Sequence, residues 1–307
     1  MSSISVVVSA WNEEGKIERC LASAKWANEL IVVDNSSIDK TPHVAKKMGA
    51  TVFTRPNNPM LNINKNFGFE KASSDWILCL DADEQLTPEL SGEIQKVIRD
   101  SQETVGYWIS RKNIIFGKWI EHGLWWPDKQ LRLFRRGKGK FPCKHVHEYI
   151  EVSGPTGELT HPFTHYNYET VSQFVRKMDT IYTENEVNNL IASDYQFVWY
   201  DALRFPVSDF VKVFFAQEAY KDGLHGLILS LLQSFYSLIV FAKLWERKKF
   251  EERSITLASV QRELMTSGKD IHYWMLTSKI KNSTSPIAKL WLRMQRRFMA
   301  LANVMDK

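Results

Sequence analysis

Four short apolar runs, Ser5–Ser9, Leu30–Asp34, Thr51–Thr54 and Trp76–Leu80, each give way to a polar turn and then to a helical pattern. The first two contain unbroken β-branched stretches, Val6-Val7-Val8 and Ile31-Val32-Val33, of the kind buried on both faces of a parallel sheet. Helical patterns follow from about Glu14, Lys40, Asn64 and Pro88. This alternation predicts an α/β fold with a mainly parallel, Rossmann-like sheet and right-handed crossovers. The strand exits are polar: Trp11-Asn12-Glu13, Asp34-Asn35-Ser36-Ser37 and Asp81-Ala82-Asp83. They are expected at the carboxyl edge, where open α/β sheets bind ligands. The chain has no Gly-x-Gly-x-x-Gly and no Gly-x-x-x-x-Gly-Lys, which disfavours a dinucleotide dehydrogenase or a P-loop enzyme.

The exit Asp81-Ala82-Asp83 carries the sharpest chemistry. Two carboxylates leaving a strand together can converge on one hard cation, and a divalent ion held there neutralises a diphosphate. The implied ligand is a nucleotide-sugar bridged by Mg²⁺ or Mn²⁺. The plainer alternative is that both aspartates cap the next helix, whose own start signal is Thr87-Pro88. Asp34 can accept hydrogen bonds from a uracil edge or a ribose, with Asn12 and Glu13 as further nucleoside contacts; an Asx-turn or helix cap is the alternative for Asp34. Lys65 opens a helix shortly before the acidic strand and can meet a diphosphate as a point charge, or remain a solvated lysine.

At this point the chain resembles the inverting family 2 glycosyltransferases of GT-A fold, and among them bacterial enzymes that add glucose to the lipopolysaccharide core. The resemblance runs from about Ile4 to about Glu246. Six ordered blocks carry it: Ala10-Trp-Asn-Glu-Glu14; Ile31-Val-Val-Asp34 with Ser37-x-Asp39-x-Thr41; Lys65-Asn-Phe-Gly68; Leu80-Asp-Ala-Asp-Glu84; Trp126-Pro-Asp128-x-Gln130-x-Arg132-Leu-Phe134; and Val146-His147-Glu148. Where the family often has glycine in the turn after Asp34, this chain has Asn35-Ser36-Ser37. The resemblance implies nucleotide-sugar contacts at Ala10, Asn12, Glu13, Asp34, Lys65, Asp81 and Ala82. It implies metal ligation by Asp83 and His147, and a base at Asp128.

Direct transfer with inversion needs a base near the acceptor hydroxyl and a stabilised diphosphate leaving group. Asp128 sits in the glycine-bearing aromatic loop Gly123-Leu-Trp-Trp-Pro-Asp128, and Glu148 is the second candidate. Trp125 and Trp126 can stack on an acceptor sugar. Arg132 is either an acceptor contact or the partner that holds Asp128. Gln85 is read as a surface residue, although its place after Asp83 resembles a metal contact of polyprenol-phosphate sugar transferases. Cys143, His145, His147, His161 and His165 admit a zinc site as a rival, against which stands the lack of any Cys-x-x-Cys.

At 307 residues and 44% hydrophobic content the chain can bury a full α/β domain, expected over 1–168, and a helical region over 169–307. Cys20, Cys79 and Cys143 form no disulfide framework and the N-terminus shows no signal segment, which points to reducing cytoplasm. Gly223–Ala242 approaches the ~20 residues that span a bilayer, but His225, Gln233 and three serines interrupt it, so a helix lying in one leaflet is equally expected. Lys243, Arg247, Lys248, Lys249 and Arg253 follow, suited to anionic headgroups. Ile287, Leu290, Trp291, Met294, Phe298 and Leu301, interleaved with Lys289, Arg293, Arg296 and Arg297, describe a basic amphipathic helix without a nucleic-acid-binding motif. The expected enzyme transfers a hexose, glucose from UDP-glucose, to a lipid-linked saccharide at the cytoplasmic face of the bacterial inner membrane. Transfer to polyprenyl phosphate and a non-catalytic nucleotide-sugar scaffold are the alternatives.

Overall fold

The computed structural model describes residues 2–58, 60–100, 103–144 and 148–305, with side chains to 298. The chain forms two compact units, Met1–Ile115 with Trp125–Asn167, and Phe116–Leu124 with Tyr168–Lys307.

The first unit alternates as the sequence predicts through β1 (Ile4–Ala10), α1 (Ile17–Ser23), β2 (Glu29–Asp34), α2 (Thr41–Lys47), β3 (Thr51–Thr54), α3 (Leu61–Lys71) and β4 (Trp76–Asp81). Beyond β4 come β5 (Glu84–Gln85), α4 (Pro88–Asp100) and β6 (Gly106–Ile115), then β7 (Lys118–Trp119) in the second unit, and β8 (Asp128–Arg135), β9 (Gly139–Lys140), β10 (Glu151–Val152), β11 (Thr156–Glu158) and β12 (Phe163–Tyr168). The main sheet runs in the order β3-β2-β1-β4-β8-β6-β12-β5. Its first four strands are parallel, while β8 is antiparallel to both β4 and β6. Register brings the predicted exits level: Ala10 lies opposite Asp34 and Ser9 opposite Asp81.

Strand alternation sends successive side chains to opposite faces, and both faces are covered. Val6, Val8, Leu78 and Leu80 pack with Ile17 and Leu21 of α1 and Leu90 and Ile94 of α4. Val7, Ile31, Ile77 and Cys79 pack with Phe69 of α3 and with Phe134 and Phe141. Thr87 caps α4, its hydroxyl accepting from the Leu90 N–H at 3.1 Å, and β5 stands between it and the acidic exit. Asp81 and Asp83 are therefore not that helix's cap.

The block Lys65-Asn-Phe-Gly68 fixes α3 on the sheet. The Asn66 amide pairs with both backbone groups of Phe141, at 2.9 Å each. Phe67 meets Phe53 edge to face, with ring centroids 5.9 Å apart. At Gly68 the helix backbone comes so close to the sheet that a Cβ would stand 2.5 Å from a Val7 methyl and 3.0 Å from a Val33 methyl.

The second unit is helical: α5 (Val171–Lys177), α6 (Thr183–Ala192), α7 (Asp201–Phe210), α8 (Leu224–Arg247), α9 (Leu257–Asn282) and α10 (Pro286–Met305). Asp222 draws in the Phe116–Leu124 segment, its carboxylate accepting from the His122 and Glu121 N–H groups at 2.9 and 3.3 Å. α8 is long and apolar enough to cross a membrane, with a mean hydropathy of 1.8 over its 18-residue window. The polar residues that interrupt its sequence turn inward: the Ser234 hydroxyl donates to the Pro206 carbonyl at 2.7 Å, Ser237 and Gln233 donate to Asp209, and His225 Nε2 lies 3.3 Å from the Phe116 carbonyl. Leu224, Ile228, Leu231, Phe235 and Leu238, spaced three or four apart, and Trp245 two turns further on, form the opposite, exposed stripe. On α10, Ile287, Leu290, Trp291, Met294 and Phe298 are likewise exposed. The Leu301 side chain lies outside the described residues.

Gly68→Ala is expected to destabilise the protein by about 1–3 kcal/mol, the usual cost of overpacking, because α3 must lift from β1 and β2. Thermal unfolding checks this; an unchanged or higher midpoint refutes the close approach.

Candidate active site

The first two strand exits are knitted together before any ligand arrives. Asn12 stands at a φ of 54°, its N–H donating to Ser37 Oγ at 2.9 Å and its Oδ1 accepting from the Ile38 N–H at 2.9 Å. The Glu13 N–H donates to Thr41 Oγ1 at 2.8 Å, and its carboxylate pairs with Lys16 at 3.3 Å. Asp34 is buried and makes the Asx-turn, Oδ1 accepting from the Ser37 N–H at 3.3 Å. Ser36 takes a positive φ of 56° at the turn where the family often has glycine, so the serine carries that strain. Ala10 and Ala82 are buried beside the rim.

A continuous chain of charges runs beneath the rim. Lys65 Nζ lies 2.5 Å from Asp81 Oδ1, and Arg132 Nη2 lies 2.8 Å from Asp81 Oδ2 and 2.7 Å from Glu84 Oε1. Glu84 Oε2 accepts the Asp81 N–H at 2.8 Å, and Arg111 Nη1 lies 3.8 Å from Glu84 Oε1. Arg111 then meets Asp128 Oδ2 through Nε at 2.7 Å and Nη2 at 2.6 Å. Burial opposes ionisation of Asp81, but Lys65 and Arg132 outweigh it and hold the carboxyl well below its ordinary range. Burial also opposes the charge on Lys65, and Asp81 overrides it, raising the ammonium's pKa. In Glu84 burial prevails and pushes the carboxyl up.

Asp128 is the first residue of β8 rather than a loop residue, and it lies opposite Arg111 in the ladder. Burial raises its pKa, but Arg111 and the amides of Asn113 and Gln130 outweigh that effect, so the carboxyl sits below its usual range and is ionised at neutral pH. The partner expected for it was Arg132. That residue is 4% exposed and committed to Asp81 and Glu84, which also removes it as an acceptor contact; Arg111 holds Asp128 instead.

Asp83 faces His165. Antiparallel pairing of β5 and β12 sets His165 opposite Glu84, and the Tyr166 N–H donates to the Asp83 carbonyl at 3.0 Å. His165 Nε2 then lies 3.5 Å from Asp83 Oδ1, and Nδ1 lies 2.8 Å from Asn113 Oδ1. A carboxylate and an imidazole so placed fit two positions of a divalent cation, which commonly takes one or two side chains and completes its shell with substrate phosphate and water. Among the described residues no cluster of three or more His, Cys, Asp or Glu forms a metal set. His147, the expected second ligand, and His145 lie outside the described residues. Cys143 Sγ engages the Asn66 amide at 3.4 Å, and His161 is exposed, its N–H bonded to Glu93.

The Glu148 carboxylate closes its own loop, accepting from the Cys143 N–H at 2.8 Å, from the Lys144 N–H and from the Asn62 amide at 3.2 Å. Trp125 and Trp126 are half-buried, and the Trp125 carbonyl accepts from Asn113 at 2.9 Å. Gln85 lies in β5, its Oε1 3.4 Å from the Tyr166 hydroxyl. Sequence reasoning missed Arg111, Asn113 and the place of His165. A signal existed in β6, where Arg111 and Asn113 alternate with the apolar Ile109 and Ile115 on one strand face.

Residues 5–149 match the family model described as glycosyl transferase family 2. Two relatives extend the likeness over most of the chain. An uncharacterised glycosyltransferase of Rickettsia typhi is 27% identical over 93% of this chain and 99% of its own length. The lipopolysaccharide core biosynthesis glycosyltransferase LpsC of Rhizobium meliloti is 24% identical over 81% of this chain and 94% of its own. Among solved structures, S. aureus TarS 1–349 aligns at 15% identity over 99% of this chain and 92% of that one, with a TM-score of 0.43. Glucosyl-3-phosphoglycerate synthase of Mycobacterium tuberculosis, solved with Mn²⁺ and UDP-glucose, aligns at 24% identity over 36% of this chain and 44% of that one, with a TM-score of 0.32. The match thus spans less than half of the mycobacterial protein. Residues 5–149 thus carry the family 2 glycosyltransferase match, the relatives that span most of the chain are named glycosyltransferases, and the mainly parallel sheet, extended by the antiparallel β8, is of the GT-A class that the sequence led us to expect.

Lys65→Met removes one of two cations from a buried carboxylate and is expected to cost about 1.5–3 kcal/mol at neutral pH. Asp81's folded pKa lies below its unfolded one, so its pairing stabilises above the ordinary carboxylate range and is lost as pH falls through the folded value. The gap between variant and wild type should narrow in acid. Denaturant unfolding at neutral and acidic pH checks this; a gap that widens in acid contradicts the pairing.

Proposed function

We propose that the protein is a metal-dependent, inverting glycosyltransferase that moves a hexose, with UDP-glucose as the first donor to test, to a hydroxyl of a lipid-linked saccharide. The observation that carries the reading is Asp128, an ionised carboxylate held by Arg111, Asn113 and Gln130 and linked by ion pairs to the strand exit that bears Asp81 and Asp83. A fixed, charged carboxylate suits proton removal from an acceptor hydroxyl, and Glu148, tied to two backbone donors of its own loop and to Asn62 of α3, suits a supporting role. Asp83 and His165 are the side chains that would hold Mg²⁺ or Mn²⁺. Once bound, the ion would offset the charge on the departing diphosphate. Lys65 would add a positive charge near that group, and Asp34, with the loops knitted by Asn12 and Glu13, would hold the nucleoside. Trp125 and Trp126 would face the acceptor sugar. The likeness to LpsC, named for lipopolysaccharide core biosynthesis, favours a saccharide on a lipid.

Asp128→Asn should leave donor binding intact and lower turnover by at least ~100-fold, since proton removal typically contributes ~10²–10⁴. The measurement is transfer and donor hydrolysis across a nucleotide-sugar panel with Mg²⁺ and with Mn²⁺. If Glu148→Gln loses activity in this way while Asp128→Asn stays active, the roles are reversed.

The exposed stripe of α8 and the apolar face of α10 favour binding to a membrane surface, the bacterial cytoplasmic leaflet. Wild type should sediment with vesicles. High salt, which screens charges over ~8–10 Å, should weaken only the contribution of Lys289, Arg293 and Arg297, because apolar insertion is not screened. Replacing the exposed Ile228, Leu231 and Phe235 by serine should release the protein. A wild type that remains soluble and monomeric without lipid would end the membrane reading.

A further inference from the structure

Asn113 is 0% exposed and stands between the two halves of the site. Its Nδ2 faces the Trp125 carbonyl at 2.9 Å, Asp128 Oδ2 at 3.1 Å and the Arg111 carbonyl at 3.5 Å. All three are acceptors, so the amide nitrogen must lie on that side and the oxygen must face His165. His165 Nδ1, 2.8 Å from that oxygen, is then the donor. In the neutral ring this leaves Nε2 with a lone pair, pointed at Asp83 Oδ1 3.5 Å away. A carboxylate oxygen and a ring lone pair facing one another at that distance are suited to sharing a divalent cation.

We propose that Asn113 is a positioning residue serving both halves of the site: its carbonyl fixes the His165 tautomer that presents Nε2 to a divalent cation beside Asp83, and its amide fixes Asp128. The inference rests on the metal-dependent reading above. It assigns to one buried amide a coupling between the leaving-group side and the acceptor side, in addition to the ion pairs of Glu84.

The test separates the two functions of the amide on the full-length protein. In N113D a carboxylate oxygen still accepts from His165 Nδ1, while the donor to Asp128 is replaced by a like charge. N113A loses both contacts. Binding of MnCl₂ alone, measured by electron paramagnetic resonance, should be weakened about 10–100-fold in N113A, the usual effect of losing a hydrogen-bond partner behind a metal ligand, and kept at or above the wild-type affinity in N113D. Turnover should fall in both by at least ~10-fold, with the donor KM of N113D close to wild type. Circular dichroism and thermal unfolding confirm folding, and N113D, nearly isosteric, decides the Asp128 half by itself. Wild-type Mn²⁺ affinity in folded N113A, or wild-type turnover in N113D, overturns the proposal while leaving the metal mechanism standing. Wild-type protein that transfers sugar equally well in excess chelator would overturn the metal reading and this inference together.

Discussion

The series Lys65, Asp81, Arg132, Glu84, Arg111, Asp128 is the constraint on which the catalytic unit depends. Each charge is wholly or partly removed from water, and a buried charge is tolerable only when paired. The series ties α3, β4, β5, β8 and β6 together through six side chains, so the distance between the acidic strand exit and Asp128 is set by ion pairs between regular elements and not by loops. It also divides the work of the two aspartates. Asp81 is consumed by Lys65 and Arg132, whereas Asp83 turns toward His165. A single substitution among the six leaves an unmatched charge next to the site, so stability and activity should be coupled there.

A second layer of order lies above this. The loops after β1 and β2 hold one another through Asn12, Ser37, Glu13 and Thr41, and the chain from Asn64 through Asn35 to Ser9 links them to α3 at 2.7 and 3.0 Å. The left-handed backbone at Asn12 and Ser36 costs energy that these bonds offset. A rim built in this way would lose little entropy on binding a ligand, which favours affinity without large contact area.

The helical unit follows a different logic. α8 sends His225, Gln233, Ser234 and Ser237 to protein partners and leaves leucines, isoleucine and aromatics outside. Leu229, Val240 and Leu244 are buried on the inner face, and the outer stripe remains in water although apolar surface prefers to leave it. On α10, Arg296 likewise packs on Tyr273 and bonds to Thr277 while Trp291 and Phe298 remain exposed.

The sequence by itself determined the strands and helices of the first unit, because their apolar periodicity is local and a parallel sheet buried on both faces demands continuous β-branched runs. It determined the α4 start at Thr87-Pro88, the meeting of Ala10, Asp34 and Asp81 at one edge, and the apolar length of α8, for the same reason. Only the tertiary structure decided which charge meets which. Arg132 and Arg111 are both basic residues on strands, and nothing local says that the first turns to Asp81 and the second to Asp128; that depends on the order β4-β8-β6 and on antiparallel register. The place of His165 beside Asp83 depends on the two-residue strand Glu84–Gln85, too short to carry a period, and the role of Asn113 depends on partners 12, 15 and 52 positions away. Such contacts are set by long-range packing, where the physics of pairing buried polar groups acts only after the backbone has brought them together.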